Sequence, residues 1–197
     1  MSRRIPVYLL TGFLGSGKTT LLRAWLQQSE LAGAALIVNE LGEVSLDDRL
    51  MPSTVEATSL VANACVCCSG LPGLEQAMEE LFWDRLRRRI APFTALVIET
   101  TGMADPVPIL AALQGDSLLG ERYRLAGVIT TISVTGGLDV LTQHGEAQSQ
   151  LLAANVVVLT KADRADLMRY QTLHDRVGQL ARQAHALPSA QASLRAE

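Results

Sequence analysis

The chain has 197 residues, of which 48% are hydrophobic and 19% charged, and its formal net charge at pH 7 is -3. This length fits one domain with a substantial core, and the charge gives no basic excess that would predict a nucleic-acid partner. No apolar run approaches the roughly 20 residues of a membrane-spanning helix, and the N-terminus lacks a signal-peptide core and cleavage site. We therefore expect a cytoplasmic protein with no membrane partner.

Five short apolar runs rich in β-branched residues are typical of buried parallel strands. These runs cover residues 7–10, 35–38, 95–98, 127–129 and 156–159. Segments with apolar residues at spacings of three and four lie between or after them and predict helices. The predicted helices cover residues 19–28, 73–89, 106–113, 145–153 and 166–186. This alternation predicts an α/β fold of three layers, with a mainly parallel sheet flanked by helices.

The domain organisation follows from the same patterns. Residues 1–187 are expected to form one domain, residues 188–197 are small and polar and are expected to fray, and no strand is expected after residue 185. Residues 40–59 and 64–72 fit no regular element and occupy the part of the chain where nucleotide hydrolases commonly have switch loops. The basic run at residues 85–89 is interpreted as the solvated, cationic end of a helix.

A phosphate-binding pattern lies directly after the first predicted strand. Residues 12–19, Gly-Phe-Leu-Gly-Ser-Gly-Lys-Thr, match G-x-x-x-x-G-K-[ST] between a strand and a helix. The glycines let backbone N–H groups converge on phosphates, and the helix N-terminus adds favourable partial charge. Lys18 would contact the β and γ oxygens, and the Thr19 hydroxyl would bind Mg²⁺.

A carboxylate follows the third predicted strand, in the sequence Glu99-Thr100-Thr101-Gly102. Strand ends of a parallel sheet face the ligand crevice, so Glu99 is placed to orient Mg²⁺ or a water, and Gly102 to offer its N–H to the γ-phosphate. The alternative for Glu99 is a solvated carboxylate at the end of a strand.

The fifth predicted strand leads into Thr160-Lys161-Ala162-Asp163, which is close to the Asn-Lys-x-Asp guanine reader of GTP-binding proteins. An Asp here accepts two hydrogen bonds from guanine, and adenine offers no matching donors, so GTP is favoured over ATP. Lys161 would lay its stem over the base, and Thr160 replaces the usual Asn. The alternative for Asp163 is a helix cap.

All three cysteines lie within four residues, as Cys65-Val66-Cys67-Cys68. The cytosol keeps thiols reduced, so an odd, clustered set indicates metal binding or catalysis rather than disulfides. Three thiolates favour Zn²⁺ or Cu⁺ and leave a fourth position open, which Glu75, Glu40 or water would fill. A redox thiol site and structural packing remain alternatives. The three histidines, His144, His174 and His185, are interpreted as solvated residues.

Taken together and in this order, the motifs resemble those of the CobW-type GTP-dependent metallochaperones, relatives of the GTPases that insert nickel into urease and hydrogenase. The resemblance also includes residues 39–44, Asn-Glu-Leu-Gly-Glu-Val, and residues 99–106. It implies GTP binding and slow hydrolysis coupled to transfer of a divalent metal, most often zinc and sometimes cobalt, to a client protein. A homodimer stays open as the assembly state.

The resemblance assigns roles to particular residues. Catalytic roles fall on Lys18, Glu99 and Gly102. Magnesium binding falls on Thr19, with Glu40 in the first switch loop as a further candidate, and zinc binding on Cys65, Cys67 and Cys68, with Glu75 as the candidate fourth ligand. The nucleotide-binding residues are Gly12, Gly15, Ser16, Gly17, Lys18, Thr19, Thr20, Thr160, Lys161 and Asp163.

The chain also departs from the family pattern. Ser133 and Asn155 replace aspartates that relatives commonly carry, and only 34 residues (197 minus 163) follow Asp163. Relatives continue into a separate C-terminal domain, which is expected to be absent here. A non-catalytic metal-binding or redox-sensing module that keeps the nucleotide fold is therefore the alternative function.

Overall fold

The computed structural model describes residues 4–26, 33–38, 71–115 and 118–191. In these residues six strands form one parallel sheet in the order β2-β3-β1-β4-β5-β6. The strands are β1 (Ile5–Thr11), β2 (Ala34–Val38), β3 (Ala95–Glu99), β4 (Tyr123–Ser133), β5 (Val156–Thr160) and β6 (His185–Pro188). The predicted α/β fold with a parallel sheet is confirmed.

Helices cover both faces of the sheet. They are α1 (Lys18–Leu26), α2 (Leu71–Leu86), α3 (Val107–Gln114), α4 (Leu118–Arg122), α5 (Gly137–Gln143), α6 (Gly145–Leu152) and α7 (Leu167–Leu180). Short 3₁₀ turns cover Ala162–Arg164 and Ser189–Gln191. Within the described ranges, no helix has both the length and the apolar character needed to cross a bilayer.

The core is divided between the two faces because side chains alternate along each strand. On one face Leu10, Val97 and Val158 pack against α1, which contributes Leu22 and Trp25. The opposite face packs its alternate residues against α2, α3 and α4 near β1 and β3, and against α5, α6 and α7 near β4 and β5. The sheet is therefore the middle of three layers.

The strand order changes direction at β1. The chain passes from β1 to β2 on one side of the sheet, returns to β3, and then crosses β1 to reach β4 on the other side. In open parallel sheets ligands bind outside the carboxyl ends of the strands at such a switch point. A ligand site is therefore expected at the loop that follows Thr11.

The expectation that no strand follows residue 185 was wrong. Residues His185–Pro188 form β6, which pairs in parallel with β5 from Val156↔His185 to Leu159↔Pro188. The strand escaped prediction because it is short and has no β-branched residue. Pro188 fits here because it closes a strand at the end of the strand order, where an N–H is not required.

Other boundaries also differ from the prediction. Strand β4 begins at Tyr123 rather than residue 127, and α7 ends at Leu180. Burial raises the pKa of the Tyr123 phenol, whose hydroxyl donates to the Met78 carbonyl oxygen at 2.8 Å and ties β4 to α2. Helices α4 and α5 were not predicted, because each spans only one or two turns.

Candidate nucleotide site

The carboxyl ends of β1, β3, β4 and β5 lie side by side at one edge of the sheet. The register pairs Leu10 with Glu99 and Ser133 with Thr160. The hydroxyl of Thr100 donates to the Thr11 hydroxyl at 2.9 Å, and the Thr100 N–H donates to the Leu10 carbonyl oxygen at 2.9 Å. The loops that follow β1 and β3 therefore leave the sheet from a common, fixed origin.

The loop after β1 has a backbone that needs glycine. Gly12, Gly15 and Gly17 have φ angles of 141°, 69° and 95°, which residues with a side chain rarely adopt. A Cβ atom at Gly12 would also collide with the hydroxyl and carbonyl oxygens of Thr131 on β4. The chain can thus pass close to β4 before it enters α1 at Lys18.

The side chain of Lys18 is folded across this loop. Lys18 is only 9% exposed, and its ammonium group donates to the carbonyl oxygens of Gly12 at 2.8 Å and Phe13 at 3.4 Å. A full positive charge is therefore held at the N-terminus of α1, where the helix dipole already favours an anion.

Thr19 and Glu99 meet although 80 positions separate them in the chain. The Thr19 hydroxyl donates to Glu99 Oε1 at 2.7 Å, and Glu99 is 2% exposed. A hydroxyl and a carboxylate are oxygen ligands of the kind that Mg²⁺ binds beside substrate phosphates. The residues present fit a magnesium ion at this position.

Gly102 lies directly against the phosphate-binding loop. A Cβ atom at Gly102 would come within 2.7 Å of the Leu14 backbone nitrogen and 2.8 Å of its Cα, distances at which backbone would have to move. The loop after β3 can therefore touch the loop after β1 only because residue 102 has no side chain.

Two hydrogen bonds join the base-reader segment, residues 160–163, to the phosphate-binding loop. The Thr160 hydroxyl lies 2.6 Å from the Ser16 carbonyl oxygen, to which it donates, and Lys161 donates through Nζ to the Gly15 carbonyl oxygen at 2.8 Å. Lys161 has a φ of 55°, in the left-handed region. The threonine that replaces the usual Asn thus connects β5 to the phosphate-binding loop.

Asp163 and Thr20 differ from these buried groups because both are exposed. The Asp163 side chain is 79% exposed, and its Oδ2 lies 3.8 Å from Arg164 Nε. It belongs to the 3₁₀ turn Ala162–Arg164. The residue before this turn, Lys161, makes no capping hydrogen bond with its side chain. Its carboxylate faces solvent at the same edge of the sheet as Lys161.

Two polar residues at this edge were missed by the sequence analysis. Thr131 at the end of β4 shares a 2.7 Å hydrogen bond with the hydroxyl of Ser16. Gln150 on α6 is fully buried, and its amide nitrogen donates to the carbonyl oxygens of Gly102 at 3.2 Å and Ala104 at 2.9 Å. The only sequence signal was a pair of threonines at a strand end and an amide on an otherwise apolar helix face.

Most of the candidate metal ligands lie outside the residues that the structure describes. Cys65, Cys67, Cys68 and Glu40 lie outside the described residues, and Glu75 is half-buried in the second turn of α2. The described ranges contain no group of three or more His, Cys, Asp or Glu side chains arranged to hold a metal ion. The zinc site therefore stays a prediction from the sequence.

A family model, described as the nucleotide-binding domain of CobW/HypB/UreG, matches residues 6–188. The chain belongs to this family. It is 42% identical over 176 residues to the zinc chaperone YjiA of Escherichia coli, which covers 89% of the chain and 54% of YjiA. It is 31% identical to the zinc chaperone CobW of Pseudomonas aeruginosa, covering 83% of the chain and 50% of that protein.

A solved structure agrees with these sequence matches. The crystal structure of Zn(II)-bound YjiA GTPase from E. coli superposes with a TM-score of 0.73 at 38% identity, covering 98% of this chain and 60% of that one. The fold of this CobW/HypB/UreG domain is thus that of a P-loop GTPase. The chain spans about half the length of the curated relatives that it matches.

Proposed function

We propose that this chain binds GTP with Mg²⁺, hydrolyses it slowly, and couples this cycle to the binding of a divalent metal and its transfer to a client protein. Zinc is the first candidate metal and cobalt the second. The observation that carries the proposal is the contact between Thr19 and Glu99 at 2.7 Å. It joins the start of α1 to the end of β3 and places two oxygen ligands at the helix turn that also carries Lys18.

The phosphate contacts follow from the geometry of the loop. Lys18 now donates to the Gly12 and Phe13 carbonyl oxygens, and a phosphate carries more negative charge than a carbonyl, so it would compete for the ammonium group. Bound Mg²⁺, held by Thr19 and Glu99, would supply neutralisation of the phosphate charge. Positioning and charge stabilisation of this kind supply most of the catalysis in phosphoryl transfer.

The two remaining catalytic assignments concern the loop after β3. Gly102 is packed against the Leu14 backbone, so its N–H is close to the phosphate-binding loop and suited to sensing a γ-phosphate. Glu99 would orient Mg²⁺ or a water. Loss of the γ-phosphate would remove the ligand that holds the two loops in register, which is a common switch in nucleotide hydrolases.

The preference for GTP is assigned to Asp163, and the metal to the cysteines. An exposed carboxylate at the edge of the site can accept two hydrogen bonds from guanine without a prior partner to displace at short range. Cys65, Cys67 and Cys68 would bind the metal as thiolates, with Glu75 or Glu40 as candidates for the open position. Two relatives are zinc chaperones and the crystal structure of YjiA is Zn(II)-bound, which supports zinc as the first metal to test.

Calorimetric titration with GTP and Mg²⁺ tests the nucleotide half of the proposal. Lys18→Ala removes the ammonium group and is expected to abolish GTP binding, whereas Arg23→Ala removes an exposed cation from the same helix and should leave the affinity unchanged. Equal GTP affinity in wild type and Lys18→Ala would overturn the assignment. Competition with ATP in the wild-type chain tests the choice of base.

Zinc competition against a chromogenic chelator tests the metal half. Cys67→Ser removes one thiolate and is expected to weaken zinc binding by orders of magnitude, while unchanged affinity would point to another role for the thiols. Phosphate release from GTP over hours, with and without Zn²⁺, then separates the two candidate functions. No release from a chain that still binds GTP and zinc would favour the non-catalytic metal-binding module.

A further inference from the structure

Helix α6 holds the loop that follows β3 through two consecutive side chains. The Gln150 amide nitrogen donates to the carbonyl oxygens of Gly102 at 3.2 Å and Ala104 at 2.9 Å. The Ser149 hydroxyl donates to Asp105 Oδ1 at 2.7 Å. An amide NH₂ group has two protons, so Gln150 uses one for each carbonyl oxygen. These hydrogen bonds tie the loop to a helix that carries none of the nucleotide motifs in the sequence.

The position of α6 is set by the sheet and by α5. The Thr130 hydroxyl on β4 donates to the Gln150 carbonyl oxygen at 2.8 Å. Leu151 is fully buried in the core, and the Gln148 amide nitrogen donates to the Leu141 carbonyl oxygen of α5 at 2.8 Å. The backbone that carries Gln150 is thus held independently of the loop, and the Gln150 amide presents its two donors from a fixed place.

On its other side the loop lies against the phosphate-binding loop. A Cβ atom at Gly102 would come within 2.7 Å of the Leu14 backbone nitrogen. The Ala104 N–H donates to the Thr101 carbonyl oxygen at 3.2 Å, which closes a β-turn around Gly102. Gly102 is therefore held between Leu14 on one side and the Gln150 amide on the other, and its place beside the phosphate-binding loop depends on both.

Loss of the Gln150 amide would leave a buried acceptor without its donor. The hydrogen bond to the Gly102 carbonyl oxygen is buried, and a carbonyl oxygen that lacks a partner is unfavourable away from water. Rotation of the peptide between Gly102 and Met103 would expose this oxygen to solvent, because glycine has a permissive backbone and Met103 is already exposed. The loop would then follow a different path beside Leu14.

We propose that Gln150 is the positioning residue that allows this chain to distinguish GTP from GDP. The inference rests on the proposed function, in which the Gly102 N–H senses the γ-phosphate. Gln150 acts through Gly102: by holding the carbonyl oxygens of Gly102 and Ala104, it keeps the Gly102 N–H where a γ-phosphate can reach it. GDP has no γ-phosphate and gains nothing from this arrangement. Ser149 assists by holding Asp105.

Calorimetric titrations of the full chain with Mg²⁺ and either GDP or the non-hydrolysable β,γ-imido analogue of GTP test this role. Gln150→Met keeps the length and nearly the volume of the side chain but removes both donors. We expect the affinity for the GTP analogue to fall about tenfold and the affinity for GDP to change less than about twofold, because one hydrogen bond to the γ-phosphate is lost. Equal weakening of both nucleotides, or no change in either, would overturn the inference.

Gln148→Met is the matched control. Gln148 lies on the same helix, and its amide donates to the Leu141 carbonyl oxygen of α5 instead of to the loop. This variant loses the same chemical group and should bind both nucleotides as wild type does. If Gln148→Met lowered the affinity for the GTP analogue as much as Gln150→Met does, the effect would belong to α6 as a whole and the assignment to Gln150 would be wrong.

Ser149→Ala decides the question if Gln150→Met does not fold. Ser149 is half-buried, and the substitution removes the hydrogen bond to Asp105 without leaving a large cavity. We expect a loss of about two- to threefold in affinity for the GTP analogue and none for GDP, and unchanged affinity for both would then refute the positioning role of α6. Failure of the wild-type chain to bind either nucleotide would instead refute the proposed function on which the inference rests.

Discussion

The two halves of the candidate nucleotide site differ in how far they are assembled. In the phosphate half Lys18 is 9% exposed, Glu99 is 2% exposed, and short hydrogen bonds join the loop to β3. In the base half the Asp163 side chain is 79% exposed, and its Oδ2 lies 3.8 Å from Arg164 Nε. Short hydrogen bonds hold the phosphate half together, and they also hold Thr160 and Lys161 of the base half to the phosphate-binding loop. The difference lies in Asp163, whose carboxylate stays exposed to solvent.

This difference predicts that the phosphate half determines the affinity for nucleotides and the base half determines the choice of base. Groups held in place before binding lose little conformational freedom when a ligand arrives, so they contribute most to affinity. An exposed ion pair such as that of Asp163 with Arg164 contributes little to stability and is easily exchanged for guanine. We therefore expect changes in the phosphate half to affect all nucleotides, and changes in the base half to affect the choice among them.

The largest effect is expected from Gly12→Ala. Its φ of 141° and the oxygens of Thr131 leave no room for a Cβ atom, so the loop must move away from β4. We expect a loss of at least about 2 kcal/mol in the free energy of unfolding, a Tm lower by at least about 4 to 8 °C, and no measurable binding of GTP or ATP. Thermal unfolding and calorimetry check both.

Gly178→Ala is the matched control for this substitution. Gly178 lies in the interior of α7, and no atom lies within 4 Å of the position of its Cβ. Alanine is the better helix former, so this variant should be more stable by up to about 1 kcal/mol. If Gly12→Ala behaved like Gly178→Ala, the phosphate half would not be the rigid half.

A smaller and more selective effect is expected from Asp163→Asn. The amide keeps one acceptor but brings a donor toward the guanine N–H groups, so GTP affinity should fall about 10- to 100-fold while ATP affinity stays the same. Asp166→Asn is the control. Asp166 caps α7 by accepting from the Arg169 N–H at 2.7 Å, and Asn caps helices equally well. An equal loss for both nucleotides would assign Asp163 to the phosphate half.

The sequence predicted the phosphate half well because its information is local. The spacing of Gly12, Gly17 and Lys18 fixes a loop conformation, and a parallel sheet brings every strand end to one edge, so Glu99 had to lie near Thr19. The parallel sheet itself followed from five continuous apolar runs. Local spacing and continuous apolar runs thus predicted the parallel sheet and placed Thr19 and Glu99 at the same edge of it.

The sequence did not predict the groups whose roles depend on distant partners. Gln150 is one amide on a helix, and only the packing of α6 beside the loop after β3 shows that it holds Gly102 and Ala104. Strand β6 lacks β-branched residues and depends on pairing with β5. Long-range pairing gives no periodic signal in the chain, so these features are evident only in the folded structure.

The smallest effect is expected at the link between the two halves, from Thr160→Val. Valine keeps the shape of threonine but removes the hydroxyl that donates to the Ser16 carbonyl oxygen at 2.6 Å. A buried acceptor without its donor costs about 1 to 3 kcal/mol, so stability should fall by that amount and GTP affinity by about three- to tenfold. Thr172→Val removes an exposed hydroxyl from α7 and should change neither. If Thr160→Val lowered stability but left GTP affinity intact, the two halves would be joined mechanically without being coupled in binding.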